Sequence, residues 1–496
     1  MTLSLILWLP LIGVLIIGFF PNPVKTNTLR NITTLFIFIT LCLSIYLLTQ
    51  FNLGISKIQF TEYLTWIPQI GLNYSLGVDG LSLPLIFLNG LLTLIAIYSI
   101  GEKVERPRLY YALMLLINSG ISGALMADNL LFFLIFYELE LIPFYLMIAI
   151  WGGEKKGYAS IKFLLYTAVS GLLVLAAFLG ITWFSGSASF DYADINTMAL
   201  SANTKFILLT LLLIGFGIKI PLVPLHTWLP DSYVEASPAT TILLGGILAK
   251  LGTYGLIRFG LQLFPDTWKL VAPGLALIGT ITVLYGALVA IAQRDIKRMI
   301  AYSSIGHMGY ILVACAAATE LSLLGAVAQM VSHGLILALL FHLVGIIERK
   351  TGTRDLDQLN GLMNPIRGLP LTSALLIGAG MASAGIPGLV GFISEFIIFQ
   401  GSFIIFPIAT LICIIASGLT AVYFVILLNR TCFGKLNNKL AYYPQVLLLE
   451  KIPAFVLATL ILFLGIQPQY LTRWIEPTTD HLIATLTPIN VEIAQK

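Results

Sequence analysis

The chain has 496 residues, 58% of them apolar and 10% charged, with a net charge of +4 and a mean hydropathy of +0.95. Soluble domains run nearer about 45–50% apolar and about 25% charged, which excludes an ordinary cytosolic enzyme, a nucleic-acid binder and a disordered regulator. A polytopic membrane protein fits, since about 14 crossings of about 20 residues use a little over half the chain.

In chain order, apolar runs broken by polar, Pro or Gly clusters predict membrane spans at roughly 3–20, 29–49, 81–100, 109–127, 130–150, 159–184, 204–224, 238–262, 271–292, 298–318, 322–347, 371–399, 404–430 and 453–466. Runs of that length exceed a barrel strand and lack its alternation, so strands are not expected. The first run, Leu3 to Phe20, has neither a positive flank nor a small-residue cleavage site and reads as a retained helix. Cys42, Cys315, Cys413 and Cys432 lie far apart and form no iron–sulfur, zinc or disulfide framework.

Lys and Arg set the orientation: about 18 fall in the odd-numbered loops, against about 6 in the even-numbered loops and the C-terminal tail. The odd loops carry Lys103, Arg106 and Arg108, then Lys155 and Lys156, then Arg294, Lys297 and Arg298, then Arg349, Lys350, Arg354 and Arg367, then Arg430, Lys435 and Lys439. They should face the cytoplasm or a stroma-like compartment, with both termini on the lumenal or periplasmic side. The longest polar connections, roughly 50–80, 185–203, 348–370 and 431–452, contain no nucleotide-binding loop, Ser-His-Asp arrangement or metal-ligand cluster. Movement of something across the membrane is the expected task.

Charges inside apolar spans are costly and mark polar pathways or buried pairs. Glu138 and Glu140 sit two residues apart ahead of Pro143, about 200° apart on a continuous helix. One is expected to be functional and the other paired, and Glu138 is the favoured functional one. Lys219 precedes Pro221 and Pro224, which remove backbone donors and open the helix. Glu395 follows Pro387 in the twelfth span, a second broken helix with an ionisable residue, and such a pairing points to a transport path. Spans 4–8 (109–262) and 9–13 (271–430) then read as two five-helix repeats. They are inverted because five is odd, with 1–108 preceding them and 431–496 forming the last span and tail. Lys250 follows Gly245 and Gly246, small residues that let helices close in, so its amine points into protein. His307 and His333 have small or hydroxylated flanks that suit a proton relay, although a hydrogen-bonded core histidine is the plain alternative. His342, about 180° round the helix from His333, faces elsewhere. Lys162 can be relay or structural partner.

Several motifs give these residues a context. Pro224-Leu-His-Thr-Trp-Leu-Pro-Asp231 with Glu235-Ala-Ser-Pro238, Asp295-Ile-Lys-Arg-Met-Ile-Ala-Tyr-Ser-Ser304, and the Ser-Glu-Phe ending at Phe396 resemble the hallmarks of the antiporter-like, proton-pumping subunits of complex I. The branch lettered D in cyanobacterial and plastid photosynthetic complexes is the most similar. The resemblance runs from about the third to the thirteenth span. It implies a route for protons through Glu138, Lys219, Lys250, His307, His333 and Glu395, driven by quinone reduction elsewhere. It also implies that this chain binds no cofactor, with quinone and iron–sulfur clusters in partner subunits. Its partners would be other membrane-arm subunits and lipids, with a soluble electron-donor arm reached indirectly and no nucleic acid. The setting implied is a cyanobacterial thylakoid and an NAD(P)H- or ferredoxin–quinone oxidoreductase, with the 360–370 loop leaning towards a CO2-uptake variant. The alternative is a Na+/H+ antiporter subunit of a multisubunit cation antiporter.

Overall fold

A computed structural model describes residues 1–21, 24–101, 104–366, 368–434 and 443–486. Lys103, Arg367, Lys435 and Lys439 lie outside the described residues. The chain is an all-α membrane protein, with one antiparallel hairpin among the described residues. Its helices are α1 (Thr2–Phe19), α2 (Thr26–Gln50), α3 (Leu83–Tyr98), α4 (Pro107–Met126), α5 (Leu130–Leu139), α6 (Leu141–Trp151), α7 (Lys156–Ser185), α8 (Ala202–Lys219) and α9 (Trp228–Glu235). Then come α10 (Pro238–Leu243) and α11 (Ala249–Gly255), which join through a π-turn and end in another at Leu256–Leu261. The remainder are α12 (Pro265–Ile291), α13 (Ile296–Ala317), α14 (Glu320–Thr351), α15 (Pro370–Ser383), α16 (Val390–Phe403), α17 (Pro407–Cys432), α18 (Leu448–Ile466) and α19 (Gln469–Leu486).

Twelve helical spans among the described residues, with Leu130–Trp151 (α5 and α6) and Pro238–Leu261 counted as one each, are long and apolar enough to cross a bilayer. The expected count of about fourteen is therefore not established. The third expected span is the 16-residue α3, and the twelfth divides into two 14-residue helices. The dividing turn holds Gly385 (φ +69°), Pro387 and Gly388 (φ +91°), where a ring removes a donor and two glycines adopt backbone that side chains resist.

Two elements correct the sequence reading. The connection over 50–80 folds into an antiparallel hairpin, β1 (Gln59–Ile67) and β2 (Leu72–Val78), turned at Gly71. Leu3 N donates to Glu62 Oε1 (2.9 Å), tying the hairpin to α1. The C-terminal tail contains α19, a strongly amphipathic helix laid against α3, α14 and α18. Gly80 N donates to Thr478 Oγ1 (2.9 Å), and a Cβ at Gly80 would strike the Trp474 carbonyl.

The segment Pro238–Leu261, α13 and α14 run through the interior, while α1, α2, α17 and α18 bury a third or less of their apolar windows and lie on the periphery. Glycines set the closest approaches. A Cβ at Gly286 of α12 would lie 2.6 Å from Gly306 N of α13, so these backbones touch directly. The connections sort to two ends. At the hairpin end Asp128 N donates to Ser75 O (2.9 Å) and Leu130 N to Phe190 O (2.8 Å). At the other end the basic loops interlock through Lys297–Glu348 (2.9 Å), Arg354–Asp295 (3.1 Å) and Arg298–Asp231 (3.4 Å).

Gly391→Ala is expected to destabilise the chain by about 1–3 kcal/mol through overpacking. Its new Cβ would meet the Ala382 carbonyl across the α15–α16 break. The amount of assembled complex on native gels checks this, and an unchanged amount contradicts it.

Candidate functional site

The interruptions place the ionisable side chains. α5 stops at Leu139 because Pro143 has no N–H for the carbonyl four residues back. Only Glu140 itself lies between the two helical stretches, with its backbone still in the right-handed helical region (φ −76°, ψ −20°), and the two carboxylates face different helices. Glu140 faces α8, where Lys219 Nζ lies 2.5 Å from its Oε1, with side-chain exposures of 3% and 1%. Lys219 Nζ also donates to Tyr137 O (3.2 Å) and lies 3.3 Å from the Tyr137 ring centroid, a cation–π contact. Glu138 turns instead to α7, where a Cβ at Gly171 would fall on its carboxylate. Of the two carboxylates, Glu140 is thus the one paired with Lys219, and Glu138 faces a different helix.

Lys250 is fully buried on α11, and its Nζ donates to the Gly245 carbonyl across the π-turn. No carboxylate pairs with it among the described residues. Its helical segment packs between α8 and α14. A Cβ at Gly252 would lie 3.3 Å from Lys219 Cβ, and one at Gly334, beside His333, 2.7 Å from Gly246 O.

Across that helix His333 and His307 stack, with ring centroids 5.1 Å apart and planes at 20°. Neither ring nitrogen of His333 has a hydrogen-bond partner within the protein. Both ring nitrogens of His307 face acceptors: Nδ1 is 2.7 Å from Ser303 O, and Nε2 is 3.2 Å from Ser383 O and 3.4 Å from Glu395 Oε1. Glu395, one turn into α16, accepts from Ser417 Oγ on α17 (3.0 Å) and borders an apolar cavity of 720 Å³ at the bundle's flank. The six expected residues thus form two contacts, His333–His307 and His307–Glu395; Lys219 binds Glu140, while Lys250 and Glu138 touch none of the others directly.

His342 is satisfied structurally by Ser99 Oγ (2.7 Å) and Glu450 O (2.8 Å). Lys162 pairs with Asp231 (2.8 Å). Asp231 lines a cavity of 970 Å³ at the basic end with Glu235, Arg298, Glu348 and Arg354. Sequence reasoning missed a polar knot beside the histidines. Ser332 Oγ lies 2.7 Å from Ser394 Oγ, and both hydroxyls donate to Gln329 Oε1. Gln329 and Ser332 were visible as polar residues four and one before His333, a spacing that a search restricted to charges passes over. No group of three or more His, Cys, Asp or Glu able to hold a metal ion occurs among the described residues.

The comparisons agree with this architecture. A family model described as NADH:quinone oxidoreductase/Mrp antiporter, transmembrane, matches residues 127–420. The chain is 37% identical over 506 residues to NAD(P)H-quinone oxidoreductase chain 4 of Acaryochloris marina, covering 100% of this chain and 94% of that protein. It is 39% identical over 490 residues to chain 4 1 of Synechococcus elongatus, covering 97% and 91%. Among solved structures, a chain of respiratory complex I from Thermus thermophilus superposes with a TM-score of 0.89 at 26% identity, covering 98% of this chain and 100% of that one. A chain of the Mrp complex from Dietzia sp. superposes with 0.87 at 21% identity, covering 98% of each, and shares the fold. With a model matched over more than half its length and relatives aligned nearly end to end, the chain belongs to the NADH:quinone oxidoreductase/Mrp antiporter transmembrane family.

Proposed function

We propose that the chain is a proton-translocating membrane-arm subunit of a quinone-reducing complex I, moving protons while other subunits reduce quinone or plastoquinone. The observation that carries this reading is the file of buried ionisable groups from Glu140–Lys219 past Lys250 to His333, His307 and Glu395. Charges so buried are kept for conduction more readily than for stability. The two five-helix units, 109–262 and 271–430, act as inverted repeats. Matching breaks support this, α8/α9 in the fourth helix of the first and α15/α16 in the fourth of the second.

Protons enter from the basic-loop end, which faces the cytoplasm, and leave near Glu395 at the lumenal side of a thylakoid membrane. Between the fixed groups, water and the two imidazoles carry the proton. Glu138 serves as a loading carboxylate beside the Glu140–Lys219 pair, and opening of that pair links the route to quinone reduction elsewhere. The chain itself performs no redox chemistry: quinone and iron–sulfur clusters belong to partner subunits of an NAD(P)H- or ferredoxin-driven oxidoreductase. Antiporter-like neighbours flank it in the arm, and the complex is of the respiratory or the CO2-uptake type.

Glu395→Gln keeps the shape and the acceptor for Ser417 but cannot exchange a proton at neutral pH. It is expected to lower donor-driven lumen acidification by about tenfold or more, the scale of losing one positioned acid–base group, with assembly intact. Acidification at the parent rate, or a rate that follows sodium concentration, would overturn the reading.

A further inference from the structure

A second buried charged cluster, at the hairpin end of the helical segment that holds Lys250, takes no part in that route. Lys250, Tyr254, Arg258 and Gln262 follow one another at four-residue intervals from mid-helix towards the hairpin end. Tyr254 and Arg258 are 2% and 8% exposed. The guanidinium of Arg258 donates three ways: Nη2 to Asp79 Oδ2 (2.5 Å), Nη1 to Gln262 Oε1 (3.2 Å) and Nε to the Tyr254 hydroxyl (3.4 Å). Tyr254 donates its own proton sideways to the Leu125 carbonyl (3.3 Å). Asp79, between β2 and α3, is fixed by the N–H groups of Leu81 (3.0 Å) and Ser82 (3.1 Å).

These bonds run in one direction. A proton wire needs every link to accept and to donate, whereas a guanidinium has five donors, no acceptor and no proton to release. A proton on Tyr254 therefore cannot pass on through Arg258, and the Tyr254 hydroxyl donates instead to the Leu125 carbonyl. The fixed charge also repels any cation approaching from Lys250, strongly so in a dry interior, as fixed arginines do in pores that exclude protons. Asp79, directly after β2, reaches the pair from the hairpin, whereas Arg258 lies on the same helical segment as Lys250, two four-residue steps on. The second repeat differs at this level: the cavity beside Glu395 is bordered by Gln400, Ser417 and apolar side chains, with no Lys or Arg among its lining residues.

We infer that Arg258 is a barrier residue that closes the hairpin end of the first repeat to protons, so that a proton held at Lys250 leaves only sideways, towards His333 and Glu395. The inference rests on the proposed route, but its test does not need turnover. Vesicles holding the full complex, without electron donor, are given a pH gradient and its decay is followed. Arg258→Met and Arg258→Gln are expected to speed the decay about tenfold per assembled complex, the change produced by removing ~1.4 kcal/mol from a barrier. Arg258→Lys and Asp79→Asn, which keep the positive charge, should hold the gradient like the parent. Adding Lys250→Met to Arg258→Gln should restore tightness, because the leak runs through that amine.

Arg258→Gln retains hydrogen-bonding capacity towards Tyr254 and Gln262 and carries the test should Arg258→Met not accumulate. Assembled Arg258→Gln vesicles as tight as the parent, or an equal leak in Asp79→Asn, would overturn the barrier and leave the cluster a structural clamp. Failure of the pumping reading shows separately, as donor-driven acidification that survives Lys250→Met alone.

Discussion

Lys219→Met is expected to abolish proton translocation and to destabilise the chain by about 3–5 kcal/mol, because it strands Glu140 as an uncompensated buried charge. The amine fills three roles at once: it pairs with Glu140 Oε1, donates to Tyr137 O and lies over the Tyr137 ring. Glu140 Oε2 already has no hydrogen-bond partner within the protein, so nothing else is positioned to take up the charge. Adding Glu140→Gln should recover most of the lost stability while transport stays absent. Glu138→Gln should recover none, because that carboxylate faces Gly171 on α7. Thermal dissociation of the purified complex, read across both double-mutant cycles, separates the two carboxylates. Coupling of Lys219 to Glu138 and not to Glu140 would show that the pairing described here is not the resting one.

That experiment turns on two carboxylates whose different facing was legible: residues two apart on a helix point about 200° apart, and Glu140 meets Lys219 while Glu138 meets Gly171. The long spans were legible because a bilayer demands about 20 apolar residues with every backbone group satisfied internally. The breaks at Lys219 and Glu395 were legible because proline and glycine are local signals. The hairpin was not: Gln59–Ile67 gains its partner only when Leu72–Val78 folds back, a pairing that no single window contains. Nor was α19, whose apolar residues are diluted by a polar face and a Pro at 477, so that a hydropathy average passes over it. The Arg258–Asp79 pair joins residues 179 apart in sequence. Arg258 lay inside an expected span, and only its partner reveals what it does.

Lys250→Met should have the opposite effect on stability and the same effect on transport. Lys219 is compensated, whereas Lys250 is fully buried with one carbonyl as its hydrogen-bond acceptor and no carboxylate paired to it among the described residues. An amine held in such a place is itself a cost, and a methionine of similar length removes it. The variant is expected to be about 1–3 kcal/mol more stable than the parent. Proton transfer between the Glu140–Lys219 pair and the stacked histidines should be lost with the amine, since Gly252 and Gly334 bring Lys219 and the His333 turn against this helix from either side. Thermal dissociation and donor-driven acidification, measured on the same preparation, decide the matter. A variant that is destabilised and still pumps would make Lys250 a structural residue, and one that is stabilised and inactive identifies it as a group retained for conduction at the expense of the fold.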